Sequence, residues 1–366
     1  MDFVLSELCD QVMTARAGHK PLFVMGGGSK RFYGNYRPLR PQDGHCLLDM
    51  TPYRGIVSYH PSELVVTVRA GTPLAELEAA LAENGQMLAF EPPHFAPSTT
   101  VGGCVAAGLS GPRRMSAGAL KDFVLGAQLL DSEGRILSFG GEVMKNVAGY
   151  DVSRLLAGSH GIFGAILEVS LKVVPRPMEE MTLVLPGTQA QALANFAFWR
   201  GKPLPISATS WAGEGGEGMT MVRLSGAPPA LSSARGLIGG DVLAPDVAGA
   251  WWKSLREQTH PFFTPDQPMW RVALPPTTPD LELGATLVEW GGGQRWLTGP
   301  RDAAELRETA ARLGGHATLF RPAGATPPAD GVFHPLAPGV GAITRRLKQE
   351  LDPAGLFNPG RLVLEL

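Results

Sequence analysis

A run of small residues from Pro97 to Gly111 constrains the fold of this chain more than any other stretch. Thr99 or Thr100 can cap a short helix over about Val101 to Leu109, because a hydroxyl oxygen accepts from the free N–H groups of a first turn. Two glycines lie in that turn, and each weakens a helix by about 1 kcal/mol relative to alanine. The sequence therefore predicts a compensating feature, either a close helix contact or a ligand lying against the backbone.

Two further glycine-rich turns adjoin predicted strands. Gly26–Ser29 follows a short apolar strand, and Gly158, Gly161 and Gly164 precede a strand that alternates apolar and polar residues from Ile166 to Val174. Such turns can aim several backbone N–H groups at a phosphate, although each alone is also typical of a tight turn or a helix end. Three separate turns of this kind, each beside a strand or a helix, are hard to explain as coincidence.

A dinucleotide site of the Rossmann type is one alternative. Asp49 lies 21 residues beyond Gly28, where a ribose-binding carboxylate would sit. The G-x-G-x-x-G pattern nevertheless fails at Arg31, and the residues after it form a poor helix. No Gly-Lys-Ser/Thr follows the turn at the spacing of a Walker loop. The sequence therefore disfavours both of these nucleotide sites.

Charge and cysteine content exclude several classes of function. The net charge is -2 over 366 residues, which gives no electrostatic basis for binding nucleic acid. Cys9, Cys46 and Cys104 are few and far apart, so neither an iron–sulfur cluster nor a cysteine-rich zinc site is expected. The N-terminus lacks a signal peptide, and no apolar run approaches the roughly 18 residues of a membrane span. We expect a soluble cytoplasmic protein that reaches the inner membrane face only through partner subunits.

The order of predicted elements divides the chain near Pro175 and Pro177. Residues 1–178 mix short strands with helices, whereas the later residues run strand, helix, strand, strand, helix and then return to that order in part. This order is typical of an antiparallel sheet covered by helices, so the predicted fold class is α+β. We predict domains over 1–178 and 179–345, and a fixed, non-helical C-terminal tail within 346–366 that returns to the first domain.

Four segments together resemble the FAD-binding domain of the vanillyl-alcohol-oxidase/p-cresol-methylhydroxylase (PCMH) flavoprotein superfamily. They are Gly26–Ser29, Thr100–Gly103, Gly158–Val169 and Phe357–Gly360. Within that superfamily, the chain is most similar to the FAD-binding subunits of bacterial glycolate oxidases. The stretches that carry this closer resemblance are Glu91–Phe95, Ala107–Arg114, Met144–Arg154, Trp252–Phe263 and Trp290–Trp296.

The resemblance implies a PCMH-type FAD-binding domain of two α+β subdomains and a ferredoxin-like α+β cap domain. It also implies non-covalent FAD, because the loop position that carries a linking histidine in some relatives reads Ser29-Lys30, and Cys104 has the character of a small packing residue. The residues that the resemblance assigns to FAD binding are Gly26, Gly27, Gly28, Ser29, Pro97, Thr99, Thr100, Val101, Gly102, Gly103, Gly118, Gly158, Gly161, Gly164, Ile166 and Asn358.

The substrate class that the resemblance implies is a small 2-hydroxy acid. Its oxidation needs a cation for the carboxylate and a base for the hydroxyl proton. The candidate residues for these roles are Arg113, Tyr150, His94, His260, Arg271 and Arg295. For each of them, an ordinary ion pair or structural contact is the competing interpretation.

One absence bears on the choice between functions. Related 2-hydroxy-acid-oxidising subunits carry an H-x-x-x-G-N-x-H cluster in the cap, whereas the eight histidines of this chain never cluster and form no metal-binding pattern. This favours a subunit of a glycolate oxidase or dehydrogenase complex that works with a second flavoprotein subunit and an iron–sulfur subunit. The alternatives are a stand-alone FAD oxidase or dehydrogenase of a hydroxy acid, alcohol or sugar, and a scaffold without a cofactor.

Overall fold

The computed structural model describes residues 2–35, 46–141, 151–214, 216–264, 266–324 and 327–366. Its helices are α1 (Asp2–Ala17), α2 (Leu74–Glu83), α3 (Val101–Ala107), α4 (Arg114–Ala117), α5 (Val152–Leu155), α6 (Gln189–Arg200), α7 (Pro228–Ile238), α8 (Pro245–Arg256), α9 (Ala303–Arg312) and α10 (Pro338–Leu351). Its strands are β1 (Leu22–Met25), β2 (Cys46–Asp49), β3 (Ile56–His60), β4 (Val65–Arg69), β5 (Gln86–Met87), β6 (Val124–Leu130), β7 (Ile136–Gly140), β8 (Ala165–Lys172), β9 (Val174–Pro175), β10 (Glu179–Thr188), β11 (Ile206–Glu214), β12 (Glu217–Gly226), β13 (Asp241–Val242), β14 (Met269–Ala273), β15 (Thr286–Glu289), β16 (Gln294–Thr298) and β17 (His316–Arg321).

The first half of the chain builds two main sheets. β1 and β2 pair in parallel, and α1 buries Leu8, Val12 and Ala15 in the same core because these residues recur on one helical face. Five antiparallel strands in the order β3-β4-β8-β6-β7 form the second sheet, which shares a core with α2 and α3. The two units match the two predicted α+β subdomains. In the described residues the parallel sheet has two strands, and this excludes the Rossmann alternative, which needs a wider parallel sheet.

The second half forms one sheet of eight antiparallel strands in the order β13-β10-β12-β11-β15-β16-β14-β17. The segment β10-α6-β11-β12-α7-β13 has the connectivity and strand order of a ferredoxin-like motif. β14 to β17 repeat that strand order with a loop in place of the first helix, and the two motifs join between β11 and β15. The α+β class with a ferredoxin-like cap is therefore confirmed, and the cap contains the motif twice.

The two faces of the eight-stranded sheet differ because side chains alternate along each strand. One face packs Leu183, Val222 and Val272 into the cores that hold α6, α7 and α9. The opposite face, called the inner face below, lies toward α8 and the first half of the chain. It carries Arg271 and Glu289, whose strand partners on β16 lie on that same face.

An ion-pair network joins the inner face to the first half of the chain. Glu91 pairs with Arg113 at 3.4 Å and with Arg223 of β12 at 2.9 Å. Arg113 pairs in turn with Glu180 of β10 at 2.5 Å. Both arginines are buried, so they depend on these carboxylates for the charge neutralisation that water would otherwise supply. The network therefore holds the cap sheet in one orientation on the first half.

Buried hydrogen bonds tie the C-terminal tail to β1. Lys348 on α10 donates to the carbonyl oxygens of Ile162 at 2.6 Å and Phe357 at 2.9 Å, and pairs with Asp352 at 2.5 Å. Phe357 bridges Leu22 of β1 in parallel. These contacts fix the tail on the first half of the chain, while the domain division at 178 and 345 and the tail over 346–366 stay predictions.

Three details add to or differ from the sequence prediction. α3 ends at Ala107 because Gly108 adopts a left-handed φ of 64° and caps the helix. β17 has no counterpart among the predicted elements, since glycines and a histidine precede its short apolar core. Tyr150 and most of the Met144–Arg154 stretch lie outside the described residues.

Candidate functional site

A cleft opens where β1 ends. It has a volume of about 760 Å³ and adjoins a second cavity of about 400 Å³, with which it shares part of its wall. The shared wall residues are Val24, Gly26, Thr100, Gly103, Ala106, His160 and Asn358. Most of these residues are small, so much of the wall is formed by backbone.

The Gly26–Ser29 turn lies directly against the segment before α3. A Cβ atom on Gly27 would be 1.5 Å from the carbonyl oxygen of Ser98, and one on Gly26 would be 2.1 Å from Thr100 Oγ1. Only glycine fits at these two positions. Within the described ranges, no acceptor is found for the backbone N–H groups of Gly27, Gly28 and Ser29. The turn therefore offers free hydrogen-bond donors beside the cleft.

The two glycines of α3 have different neighbours. These neighbours show whether a close helix contact or space for a ligand compensates for the cost of each glycine. Thr100 caps the helix by accepting from Gly103 N–H at 3.3 Å. A Cβ atom on Gly102 would be 2.6 Å from the Cβ atom of Ala70, so this glycine permits close packing on the residue after β4. Gly103 borders the cleft, where a Cβ atom would meet only Thr100. Close packing and ligand space thus both account for the glycine pair.

The third glycine turn forms the far wall with the C-terminal tail. Gly161, Gly164 and Ile166 line the second cavity. Asn358 fastens this wall, because its Oδ1 accepts from Val24 N–H at 2.9 Å and its Nδ2 donates to the carbonyl oxygen of His160 at 2.6 Å. All three glycine-rich turns therefore converge on one cleft.

Two ionisable side chains in the cleft wall have shifted pKa values. Burial lowers the pKa of His160 to about 3, and the positive charges of Arg361 and Arg271 lower it further, so its imidazole is neutral near pH 7. Burial also lowers the pKa of Lys30, whose Nζ lies 3.3 Å from the carbonyl oxygen of His94 and 3.5 Å from Thr99 Oγ1. These contacts hold the Lys30 amine at the edge of the cleft.

The structure places the predicted FAD residues in two groups. Those in the wall are Gly26, Gly27, Gly28, Ser29, Thr100, Gly102, Gly103, Gly161, Gly164, Ile166 and Asn358. Pro97, Thr99, Val101, Gly118 and Gly158 are not among the wall residues. Thr99 supports the wall through its hydroxyl, 2.6 Å from that of Ser29, whereas Gly158 packs on Gly108. Gly118 follows α4, and a Cβ atom there would meet Asp122.

Sequence reasoning missed Lys30, His160 and Arg361 in the cleft wall. Each is adjacent to a motif that the sequence did indicate. Lys30 follows the Gly26–Ser29 turn, His160 lies between two of the selected glycines, and Arg361 follows the Phe357–Gly360 segment. Their positions next to glycine-containing motifs could therefore have identified these three residues from the sequence.

Four of the catalytic candidates have structural partners. Arg113 belongs to the ion-pair network described above. Arg295 donates to the carbonyl oxygens of Pro279 and Thr278. His94 Nε2 lies 2.9 Å from Glu78. The ring of His260 packs edge-on against that of Trp251, at 4.8 Å between centroids.

Arg271 differs from these four candidates. Its guanidinium donates to the hydroxyl of Tyr33 at 2.9 Å and lies over the rings of Tyr33 and Phe320. No carboxylate among the described residues forms an ion pair with it. Arg271 also borders a cavity between the inner face and the first half of the chain. Among the described candidates, it is the one placed to meet an anionic ligand.

Comparisons with known proteins identify the family. A model described as "FAD binding domain" matches residues 5–140. The chain is 44% identical to "Glycolate oxidase subunit GlcE" of Escherichia coli (strain K12) over 98% of this chain and 97% of that protein. The chain belongs to this family of FAD-binding oxidoreductases.

More distant relatives agree with this flavoprotein assignment. "Glycolate oxidase subunit GlcD" of Bacillus subtilis (strain 168) is 29% identical over 48% of this chain and 36% of its own length. A "D-lactate dehydrogenase" of Anaerostipes hadrus is 31% identical over 39% of this chain and 30% of its own length. A solved alkyldihydroxyacetonephosphate synthase superposes with a TM-score of 0.70 at 16% identity, covering 98% of this chain and 76% of that one. The last comparison shows the fold alone.

FAD is the cofactor of this flavoprotein, and the cleft fits it. The Gly27–Ser29 turn supplies free N–H donors of the kind that bind a pyrophosphate, and the joined cavities leave room that side chains at Gly26 and Gly103 would reduce. Cys104 lies on the core-facing side of α3 and is 2% exposed, and burial raises the pKa of its thiol to about 12. It therefore behaves as a packing residue.

The described residues contain neither a metal-binding cluster nor a membrane-spanning helix. No group of three or more His, Cys, Asp and Glu side chains within those residues is arranged to hold a metal ion. No helix in the described part of the chain is long and apolar enough to cross a membrane.

Proposed function

We propose that this flavoprotein is the FAD-binding subunit of a glycolate oxidase or dehydrogenase complex. The complex would oxidise glycolate to glyoxylate and pass the electrons through flavin to partner subunits. The observation that carries the proposal is the convergence of three glycine-rich turns on one cleft. The near full-length similarity to a glycolate oxidase subunit supports the substrate.

The FAD in this proposal is bound non-covalently. Lys30 occupies the loop position at which a linking histidine would stand. Cys104 is buried, and its raised pKa keeps it a thiol, which is a poor nucleophile. Acid precipitation of the purified chain should therefore leave the flavin in the supernatant.

Each part of the cleft has a defined task in this proposal. Bound FAD supplies an acceptor for a hydride or for electrons. The N–H groups of Gly27 and Ser29 bind its pyrophosphate, and Asn358 keeps the far wall in place through its two hydrogen bonds. Lys30 contributes a positive charge at the cleft edge, while His160 stays neutral and adds none.

The proposed partners are a second flavoprotein subunit and an iron–sulfur subunit. Cys9 and Cys46 are only partly buried and Cys104 is buried, and all three are free thiols, so they offer no cluster-binding set. Electron transfer through a cluster would then require another chain. In this assembly the protein is cytoplasmic, and any association with the inner membrane face is made by its partners.

One observation favours a second candidate function, a stand-alone FAD oxidase or dehydrogenase acting on a hydroxy acid. The inner face of the cap carries Arg271, which forms an ion pair with no carboxylate of the described residues, and the buried carboxyl group of Glu289 borders the same cavity. A chain that only relays electrons has no evident need for such a pair.

Co-purification from native lysate separates the two functions. Flavin content and glycolate-dependent dye reduction would be measured for the lone chain and for the captured complex. The proposal predicts FAD in both samples, and dye reduction that depends on the complex. Full activity in the lone chain would contradict the subunit role, and a colourless lone chain would contradict the FAD site.

A further inference from the structure

The wall of the FAD cleft carries positive charge that no carboxylate of the wall balances. Among the described residues that form it, the ionisable side chains are Lys30, Arg31, Arg361 and His160. His160 is neutral near pH 7, so the three cations set the charge of the wall. Each phosphate in the pyrophosphate of FAD carries a negative charge. The cleft is therefore complementary in sign to this part of the cofactor.

The three cations are held in different ways. Arg361 donates to the carbonyl oxygens of Arg31 at 3.1 Å and Tyr33 at 2.6 Å, so it fastens the segment after the glycine turn to the C-terminal tail. Arg31 is exposed and donates to the sulfur of Met25, so water screens its charge. Lys30 is partly buried, and its surroundings differ from those of both arginines.

The amine of Lys30 lies between the glycine turn and the segment before α3. Its Nζ atom is 3.4 Å from Ser29 Oγ, 3.5 Å from Thr99 Oγ1 and 3.3 Å from the carbonyl oxygen of His94. All three acceptors are neutral, and all three distances exceed the usual range of about 2.7–3.2 Å for an N–H···O hydrogen bond. These contacts orient the amine and leave its charge without compensation.

A nearby carboxylate already has other partners. Glu257 is the acid whose charge acts on Lys30, but its Oε1 atom pairs with Arg256 at 2.7 Å. Its Oε2 atom accepts from the backbone N–H groups of His94 and Phe95, each at 2.9 Å. Within the described residues, Lys30 forms no ion pair. Burial lowers the pKa of its amine, and an anion in the cleft would stabilise the charged form.

We propose that the ammonium group of Lys30 pairs with the pyrophosphate of FAD and supplies a charge that the backbone donors of the glycine turn cannot supply. Its Nζ atom lies beside Ser29, and the N–H group of Ser29 is one of the free donors of that turn. A phosphate bound by these donors is therefore within reach of the amine. The inference rests on the proposed FAD site and deepens it, because it assigns part of the binding to one side chain.

The test measures the dissociation constant of FAD for the full-length chain, from the fluorescence of the flavin released as the loaded chain is diluted. Lys30→Met keeps the approximate length of the side chain and removes its charge. The dissociation constant should rise at least about tenfold, because a charge-assisted contact is lost. Lys30→Arg keeps the charge and should recover most of the affinity.

Two further variants test whether the effect belongs to Lys30. Lys202→Met is the matched control, because this amine also lies over a phenyl ring, 4.9 Å from the centroid of Phe198, compared with 5.5 Å between Lys30 and Phe95. Lys202 is exposed and is not among the wall residues, so the dissociation constant should not change. Arg31→Met should raise the dissociation constant by less than Lys30→Met, because water screens an exposed charge.

Salt separates a charged contact from a packing role. The affinity of the wild type for FAD should fall between about 0.05 M and about 0.5 M potassium chloride, because salt screens the attraction between cleft and phosphate. The fall should be smaller in Lys30→Met. A side chain that only supports the fold would leave the salt dependence unchanged.

The midpoint potential of the bound flavin separates the pyrophosphate from the isoalloxazine ring. Reduction does not change the charge of the pyrophosphate, so a cation paired with it stabilises oxidised and reduced FAD equally. Lys30→Met should therefore leave the midpoint potential unchanged. A cation beside the ring would favour the reduced form, and its removal would lower the potential.

The outcomes separate this inference from the proposed function. A wild-type chain that binds no FAD contradicts the FAD site before any variant is compared. If the wild type binds FAD, an unchanged dissociation constant in Lys30→Met overturns the inference alone. An equal loss in Arg31→Met, a salt dependence that Lys30→Met shares with the wild type, or a lowered midpoint potential in Lys30→Met also overturns it.

Discussion

The FAD cleft and the inner cap cavity are built in different ways. The cleft is formed mainly by backbone from short, continuous segments such as Gly26–Ser29 and Thr100–Gly103. The cavity is formed by side chains from four strands and from a turn that lies more than a hundred residues earlier in the chain. The first kind of site is sensitive to any added atom, whereas the second depends on charge and on the docking of the cap. The predictions below use this contrast.

The largest loss of stability is expected in the ion-pair network that connects the cap to the first half of the chain. Glu91→Gln removes the charge that Arg113 and Arg223 share, and leaves two buried guanidinium groups with Glu180. Breaking a buried ion pair from one side costs about 4 kcal/mol. Urea denaturation should show that loss in the free energy of unfolding. Glu179→Gln is the matched control on an exposed carboxylate, and an equal loss there would remove the special role of Glu91.

The next largest loss of stability is expected in the FAD cleft, together with a loss of bound FAD. Gly27→Ala places a methyl group 1.5 Å from the carbonyl oxygen of Ser98, so the turn must move. We expect a loss of about 3 kcal/mol of stability and of most bound FAD, because overpacked sites cannot relax fully. Flavin absorbance per chain measures the second loss. Gly236→Ala is the control in open space on α7, and should retain FAD. Normal flavin content in Gly27→Ala would show that backbone does not build this site.

The same contrast explains which parts could be predicted from the sequence. Gly26–Ser29, Thr100–Gly103 and the far-wall glycines are local signals, because the backbone freedom that they provide is visible in consecutive residues. The α+β class followed from the order of strands and helices. The domain limits and the FAD contacts of individual residues stay predictions.

The cap cavity could not be predicted from the sequence. Arg271 was one unranked candidate among several, and Glu289 at the end of an apolar strand was not considered. They reach the same cavity only through the pairing of β14 and β15 with β16, which no local pattern encodes. The sequence equally gave no means of separating Arg271 from Arg113 and Arg295, because only the folded chain shows which arginine already has its partners.

Buried ionisable groups in the two regions should respond to pH with opposite sign. The carboxyl group of Glu289 has a pKa of about 7 in the folded chain and an ordinary one of 4.5 when unfolded. Between these values the folded state holds the proton that the unfolded state releases, so stability falls as pH rises. Urea unfolding should show a loss of about 2 kcal/mol from pH about 5 to about 7 in the wild type relative to Glu289→Gln. A difference that is constant with pH would contradict the assigned pKa.

In the FAD cleft, the change of stability with pH should be smaller and opposite in sign. The imidazole of His160 has a pKa of about 3 in the folded chain and 6.5 when unfolded. The unfolded state takes up a proton below pH 6.5, so stability is present above that value and falls as the solution becomes more acidic. From pH about 7 to about 5.5 the wild type should lose about 1 kcal/mol relative to His160→Gln. A loss with rising pH would show that His160 is not buried as a neutral ring.

The most direct test of the central claim is the flavin content of the purified, lone chain after acid precipitation. The account predicts close to one FAD per chain in the supernatant for the wild type and for Cys104→Ala, and little for Gly27→Ala. A colourless wild-type chain, or flavin that stays attached to the precipitate, would contradict a non-covalent FAD site built from the three glycine-rich turns.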